Sequence, residues 1–217
     1  MGSRNALGVV GGLGPEGVAH FVKLVESIGK RPWPGRGPKV IIRDFPAIPD
    51  GTGYLLGCNL RSPLPGLTRV SRELARQDVE CIAIPCITAY YFYRELCDVV
   101  DKPIINPLEE TARVLREQGV RCAGILATEA TVRSGLFTQA LESSGIRVVY
   151  PRNAGVERTR MTGEGTLEQL GWELEKQGAE ITVLGCAGLS VQKQQRSLGP
   201  GFLDVLEVMA RAALRCC

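Results

Sequence analysis

The chain predicts an α/β protein built as two pseudo-symmetric lobes, each a parallel β-sheet flanked by helices. Two observations carry that expectation. Apolar strand-like runs alternate with helical segments along the chain, the pattern of βαβ units. In addition, residues 73–86, ELARQDVECIAIPC, recur 100 positions later and without a gap as residues 173–186, ELEKQGAEITVLGC. Glu73/Glu173, Leu74/Leu174, Gln77/Gln177, Glu80/Glu180 and Cys86/Cys186 are identical, and Arg76/Lys176 keeps its charge. Chance gives roughly one identity over such a window at ordinary amino-acid usage. Self-similarity at a long spacing marks a duplicated unit. Here the unit is a polar helix end, a turn, a short apolar strand, and a cysteine where the strand stops.

The first lobe, residues 1–112, opens with the strand ALGVV (6–10) and the glycine-rich turn GGLGPEG (11–17). Val18, Phe21, Val22 and Val25 follow at helical spacing, which predicts a helix to about Ile28. A Pro/Gly linker leads to a strand over KVIIRDF (39–45), and a proline-bounded loop (46–65) to a helix near 66–77. The strand CIAIP (81–85) delivers Cys86, a helix carries Tyr91, Phe92 and Leu96, and a short strand spans 102–107. After a helix at about 108–118, the second lobe (113–201) repeats the plan with strands over 121–128, 146–151 and 181–185, the last carrying Cys186. From Gly8 to Cys86 is 78 residues and from Gly124 to Cys186 only 62, so the second copy is shorter. A final helix over about 202–217 is expected to pack back on the first lobe. In parallel sheets ligands bind beyond the carboxyl ends of the strands, where both cysteines fall.

Composition narrows the function classes. Of 217 residues 44% are apolar and 23% charged, enough for a substantial core. A net charge of +3 without a basic run does not suit nucleic acid. No apolar stretch nears the ~20 residues of a membrane span, and MGSRNALGVV resembles neither a signal peptide nor a myristoylation site. The eight cysteines contain no C-x-x-C pair and there is one histidine, His20, so neither a disulfide framework nor a metal site is expected. These features predict a reduced, cytoplasmic protein that touches neither membrane nor nucleic acid. Cys81 and Cys122 fall in apolar runs as core thiols, and Cys216-Cys217 reads as an exposed tail.

Gly12-Leu13-Gly14-Pro15-Glu16-Gly17 fits G-x-G-x-x-G between a strand and a helix, and Asp44 ends the next strand. That is the signature of an NAD(P)-dependent oxidoreductase, although Asp44 lies 27 residues after Gly17, later than such acids usually fall. Turn glycines with Pro15 at the first helical position, leaving N–H groups for an anion, explain the segment as well. We therefore expect no nicotinamide, flavin or pyridoxal phosphate. Cys86, in PCITAYYF, has polar Thr88 close by and a helix after it, and a helix start favours thiolate. Two thiols at equivalent positions of related lobes suit a proton taken from one face of a carbon and returned to the other. LATEATVRSGLF (126–137) offers Thr128, Thr131, Arg133 and Ser134 after the second lobe's first strand. Thr128 is the better ligand candidate, while Thr131 serves equally well as a helix cap. The tyrosines at 90, 91 and 93 are read as helix packing.

Taken together, these motifs resemble the aspartate/glutamate racemase family. GGLGP (11–15) resembles its opening turn, PAIPDGT (46–52) its second-strand loop, and SPLPGL (62–67) the helix start after it. PCITAYYFY (85–93) resembles the first cysteine motif, LATEATVRSGL (126–136) the start of the second lobe, and LGCAGL (184–189) the second cysteine motif. The resemblance implies two α/β lobes with the active site in the cleft between them, a homodimer, no cofactor or metal, and one acid–base cysteine from each lobe. It also marks departures. Ile87 stands where the family usually has Asn, Tyr90 where it has His, and Ala187-Gly188 where it has Thr-Glu or Thr-His. Gly51 replaces an arginine of aspartate-specific members.

Such a 1,1-proton transfer needs a base on one face and an acid on the other, so the sulfurs should lie roughly 6–8 Å apart with substrate between them. Cys86 and Cys186 are the catalytic candidates. Thr88 and Thr128 are assigned to the substrate carboxylate, and Gly12 and Gly14 to an anion-facing turn. Asp50 either orients the ammonium group or holds its loop. The departures favour a less acidic amino acid or another 2-substituted carboxylic acid over aspartate or glutamate. Arg133, Arg158 or Arg160 could replace the missing arginine. A related cysteine-dependent isomerase or decarboxylase is the alternative chemistry.

Overall fold

In a parallel sheet the crossover helices cover the faces, so a central strand is buried on both sides and can be apolar throughout. β1 (Ala6–Val10) and β4 (Cys122–Leu126) are buried at every residue. β1 pairs in parallel with β2 (Lys39–Arg43) and β3 (Cys81–Ala83), in the order β2-β1-β3. β4 pairs in parallel with β5 (Arg147–Val149) and β6 (Ile181–Leu184), and β7 (Phe202–Asp204) adds to β6, in the order β5-β4-β6-β7. The computed structural model describes residues 6–29, 37–152, 166–195 and 201–217. The chain divides into two compact units, Met1–Asn106 with Met209–Cys217, and Pro107–Val208, with one sheet in each.

In the first unit, α1 (Pro15–Gly29) follows β1, α2 (Gly51–Leu55) and α3 (Leu64–Ala75) join β2 to β3, and α4 (Tyr93–Cys97) follows a 3₁₀ turn at Ile87–Phe92. In the second, α5 (Pro107–Glu117) precedes β4, and α6 (Glu129–Arg133) and α7 (Leu136–Glu142) lead to β5. α8 (Leu167–Lys176) leads to β6, and α9 (Ala187–Gln195) leaves it. α10 (Val205–Cys216) is the last helix. The burial follows helical spacing: α3 buries Leu67, Val70, Ser71 and Leu74, and α5 buries Leu108, Thr111, Ala112 and Leu115. α8 starts on a capping box in which Thr166 and Gln169 each satisfy the other's backbone N–H. Among the described residues no helix is long and apolar enough to cross a membrane.

The repeated segment has one structure in both units. Residues 73–86 run from the end of α3 through a turn into β3, and residues 173–186 from the end of α8 into β6. The N–H of Glu80 donates to the Ala6 carbonyl, and the N–H of Glu180 to the Cys122 carbonyl, fixing each strand beside its central partner. Leu74 and Leu174 are fully buried. A Cβ on Gly8 would lie 3.4 Å from Leu74, and one on Gly124 would lie 2.8 Å from Leu174. Each central strand therefore carries a glycine where the helix leucine seats. The duplicated sequence is a duplicated packing unit.

Three elements differ from expectation. Residues 102–107 form no strand but one parallel bridge, Ile82 to Ile104, since Pro103 has a carbonyl for Ile82 N–H and no N–H of its own. The last helix begins at Val205 rather than 202, because Phe202–Asp204 join the sheet as β7. The loop over 46–65 contains the single turn of α2, with Asp50 as its N-cap.

Candidate active site

In the first unit the parallel register puts the glycine turn and the first cysteine at the same end of the sheet. Val9 pairs with Ala83, and Gly12 and Cys86 each lie three residues further on. Cys86 has extended backbone and caps the 3₁₀ turn, its carbonyl accepting from Ala89 N–H. Its Sγ is 3.2 Å from Oγ1 of Thr88, a buried hydroxyl. Gly51 stands over that hydroxyl: a Cβ there would lie 3.3 Å from Thr88 Oγ1. The sulfur, the threonine and the glycine thus form one cluster.

Tyr90 holds this cluster to the sheet. Its hydroxyl donates to the Ile105 carbonyl at 2.9 Å and accepts from Ile84 N–H at 3.4 Å, tying the end of β3 to the bridge segment. Burial pushes the Tyr90 hydroxyl well above the ordinary phenol range, so it stays protonated as a donor. The Tyr93 hydroxyl donates to the Ile104 carbonyl, while Tyr91 is exposed. The tyrosine run is therefore more than packing, because two of its hydroxyls fasten the loop after Cys86 to backbone. Apolar spacing alone carried no sign of that.

The second unit repeats the arrangement. Leu126 pairs with Leu184, and Thr128 and Cys186 each lie two residues further on. The Cys186 carbonyl accepts from the N–H groups of Leu189 and Ser190, which makes Cys186 the cap of α9. Its side chain is half-buried against a core of Leu126, Leu167, Leu174, Leu184 and Leu189. Thr128, not Thr131, caps α6: its Oγ1 accepts from Thr131 N–H at 3.3 Å and lies 3.0 Å from the Thr131 hydroxyl. α9 is fastened by a pair that sequence inspection missed. Ser190 Oγ donates to Asp204 Oδ2 at 2.6 Å, and Asp204 Oδ1 accepts from Leu206 N–H at 2.9 Å. Both residues are buried. The clue was present in D-V-L-E (204–207), an acidic cap followed three residues on by Glu at a helix start.

The other candidates have local partners. Asp50 uses both carboxylate oxygens to accept from the N–H groups of Thr52 and Gly53. Gly12 has φ +87°, and a Cβ there would fall 2.2 Å from the Phe45 carbonyl oxygen. Gly11 donates its N–H to the Arg43 carbonyl. These two glycines let the turn press against residues 43–45, whereas Gly14, with φ +121°, is exposed just before α1. Arg133 pairs with Glu129 along α6. Arg158 and Arg160 lie outside the described residues. Among the described residues no three His, Cys, Asp or Glu side chains gather as metal ligands.

The family model for Asp/Glu/Hydantoin racemase matches residues 10–213. The broad specificity amino-acid racemase RacX of Bacillus subtilis (strain 168) is 26% identical over 128 residues, 54% of this chain and 56% of that protein. The match thus spans little more than half the length of that relative. An aspartate racemase homologue from Pyrococcus horikoshii OT3 superposes with a TM-score of 0.80 at 20% identity, covering 98% of both chains. Picrophilus torridus aspartate racemase gives 0.77 at 21% identity, covering 97% of this chain and 93% of that one. At these identities the structural likeness is one of fold. The match of the family model over most of the sequence shows that the chain belongs to the Asp/Glu/Hydantoin racemase family.

Proposed function

We propose that the protein is a cofactor-independent racemase or epimerase of an amino acid or related 2-substituted carboxylic acid, with Cys86 and Cys186 as its acid–base pair. The observation that carries this reading is the equivalence of the two cysteines. Each stands at the carboxyl end of the strand that closes a duplicated unit, and each caps the helical turn that follows. In the reaction one sulfur, as thiolate, removes the α-proton from one face of the carbon. The other, as thiol, gives a proton to the opposite face, and the roles exchange for the other enantiomer. This requires both sulfurs to reach one carbon.

The hydroxyl of Thr88 touches the Cys86 sulfur, so it is the group best placed to orient that thiol and to meet a substrate carboxylate. Thr128 and the Gly12–Gly14 turn supply the remaining donors, and such donors stabilise the enolate-like charge that develops. Asp50, held by its own helix turn, shapes the loop that brings Gly51 to Thr88. A second carboxylate would find no charged partner at Gly51, Ile87, Tyr90, Ala187 or Gly188, and a buried carboxylate without one is costly. The substrate is therefore a neutral or modified amino acid rather than aspartate or glutamate, in keeping with a relative named for broad amino-acid specificity. The protein acts in the cytoplasm as a homodimer.

Chiral chromatography of a panel of single-enantiomer amino acids, incubated with the purified protein and no added cofactor, tests the proposal. The expected result is conversion of at least one neutral amino acid toward the racemate, with aspartate and glutamate slow. Fast racemisation of L-aspartate overturns the specificity reading. Decarboxylation, or unchanged enantiomers across the panel, overturns the racemase reading.

A further inference from the structure

Cys81, at the start of β3, does more than fill the core. It is fully buried, and its Sγ lies 3.8 Å from the Sγ of Cys217, which follows α10. Cys217 is half-buried and its neighbour Cys216 is exposed. The tail expected from the sequence is thus seated against a strand by its last cysteine. We propose that Cys81 and Cys217 are a redox pair, a modification site for hydroperoxide in which Cys217 is oxidised first and Cys81 resolves it as an intramolecular disulfide.

The geometry divides the roles. Cys81 has no exposed surface, so of this pair an oxidant meets Cys217 first. The hydrogen bond from Cys81 lowers the Cys217 pKa, while that bond, burial and a lesser hydrogen bond with Cys216 push Cys81 far above the thiol range. Thiolate character and exposure are the two properties that select a cysteine for oxidation. In the first step the Cys217 thiolate attacks one peroxide oxygen, the O–O bond breaks, and hydroxide leaves Cys217 as a sulfenic acid. In the second, the Cys81 sulfur attacks the sulfenic sulfur, the S–O bond breaks, and water departs with the Cys81 proton. Two thiols and one hydrogen peroxide become one disulfide and two waters. The sulfurs must close to about 2 Å, a short movement for the end of a helix, where fraying is usual.

The bond would tie the end of α10 to the strand that leads to Cys86, joining positions 81 and 217. A cross-link between such distant positions restricts the unfolded chain and raises thermal stability. The site is independent of the proposed reaction, and its test needs no turnover. The reduced protein is treated with a small excess of hydrogen peroxide, alkylated, and mapped by non-reducing peptide mass spectrometry, with thermal unfolding followed in parallel. The expected result is a Cys81–Cys217 linked peptide and a thermal midpoint raised by several degrees, reversed by dithiothreitol. Cys216→Ser should keep both effects, and Cys217→Ser and Cys81→Ala should lose them. Should Cys81→Ala not fold, Cys217→Ser decides, since it alters a half-exposed position beyond the core. A disulfide from Cys81 to Cys216, a disulfide between chains, or Cys217 driven to sulfinic acid with Cys81 still reduced would overturn the proposal.

Discussion

Tyr90 shows how much of the site depends on one buried hydroxyl. It bridges the Ile84 N–H and the Ile105 carbonyl, so removing it leaves buried backbone groups without a partner. Tyr90→Phe should cost about 1–3 kcal/mol, read as a lower urea midpoint with an unchanged slope. A midpoint within error of the parent would mean that the hydroxyl does not fasten the loop. Gly51 makes a chemical prediction. Its missing side chain lies over the Thr88 hydroxyl, where an arginine would bring charge beside the Cys86 cluster. Gly51→Arg should raise kcat/KM for aspartate relative to neutral amino acids by about tenfold or more, the worth of one charge-assisted hydrogen bond. An unchanged ratio would move the second-carboxylate site elsewhere. At this scale the sequence showed which residue types were missing but not their contacts. That Thr128 rather than Thr131 caps α6 depends on a backbone turn that two nearby threonines describe equally well.

At the scale of elements, the cysteine-bearing turn of the second unit is held by packing from below and by the Ser190–Asp204 pair from the side. Asp204 is buried and accepts from both Ser190 and the start of α10, so one carboxylate joins α9 to the last helix. Ser190→Ala removes one donor from a buried carboxylate. It should lower stability by about 1–3 kcal/mol in denaturant unfolding, and Ser190→Thr should restore much of it. Equal stability of the alanine variant would show that water replaces the serine. The repeat was legible because helix end, turn and strand share a local pattern, including Leu74 and Leu174. β7 was not, because the apolar residues of FLDVLEVM run through both elements, three strand residues preceding a helix with no loop between them. Only Asp204, as a cap, marks the change. Residues 102–107 had the apolar content of a strand, but a proline limits them to one bridge.

At the scale of the whole chain, duplication organises the architecture and, in the proposed reaction, the chemistry. The two sheets share the pairing order β2-β1-β3 and β5-β4-β6, and a cysteine follows the end of β3 by three residues and the end of β6 by two. Fold class and the equivalent placement of the two cysteines were legible because strand alternation and an identity at fixed spacing survive without tertiary information. Substrate identity was not, since it depends on how side chains distant in the sequence come together, and the candidate arginines at 158 and 160 lie outside the described residues. In the proposed mechanism each cysteine serves one face of the substrate carbon. Exchange of the α-proton in deuterium oxide, followed by NMR for each enantiomer separately, tests it in Cys86→Ser and Cys186→Ser. A serine hydroxyl is a far weaker acid than a thiol and cannot replace the lost base near neutral pH. Both variants should lose interconversion by ~10²-fold or more, while each still exchanges one enantiomer, opposite in the two variants. Substantial racemisation by either variant, or exchange of the same enantiomer by both, would contradict it.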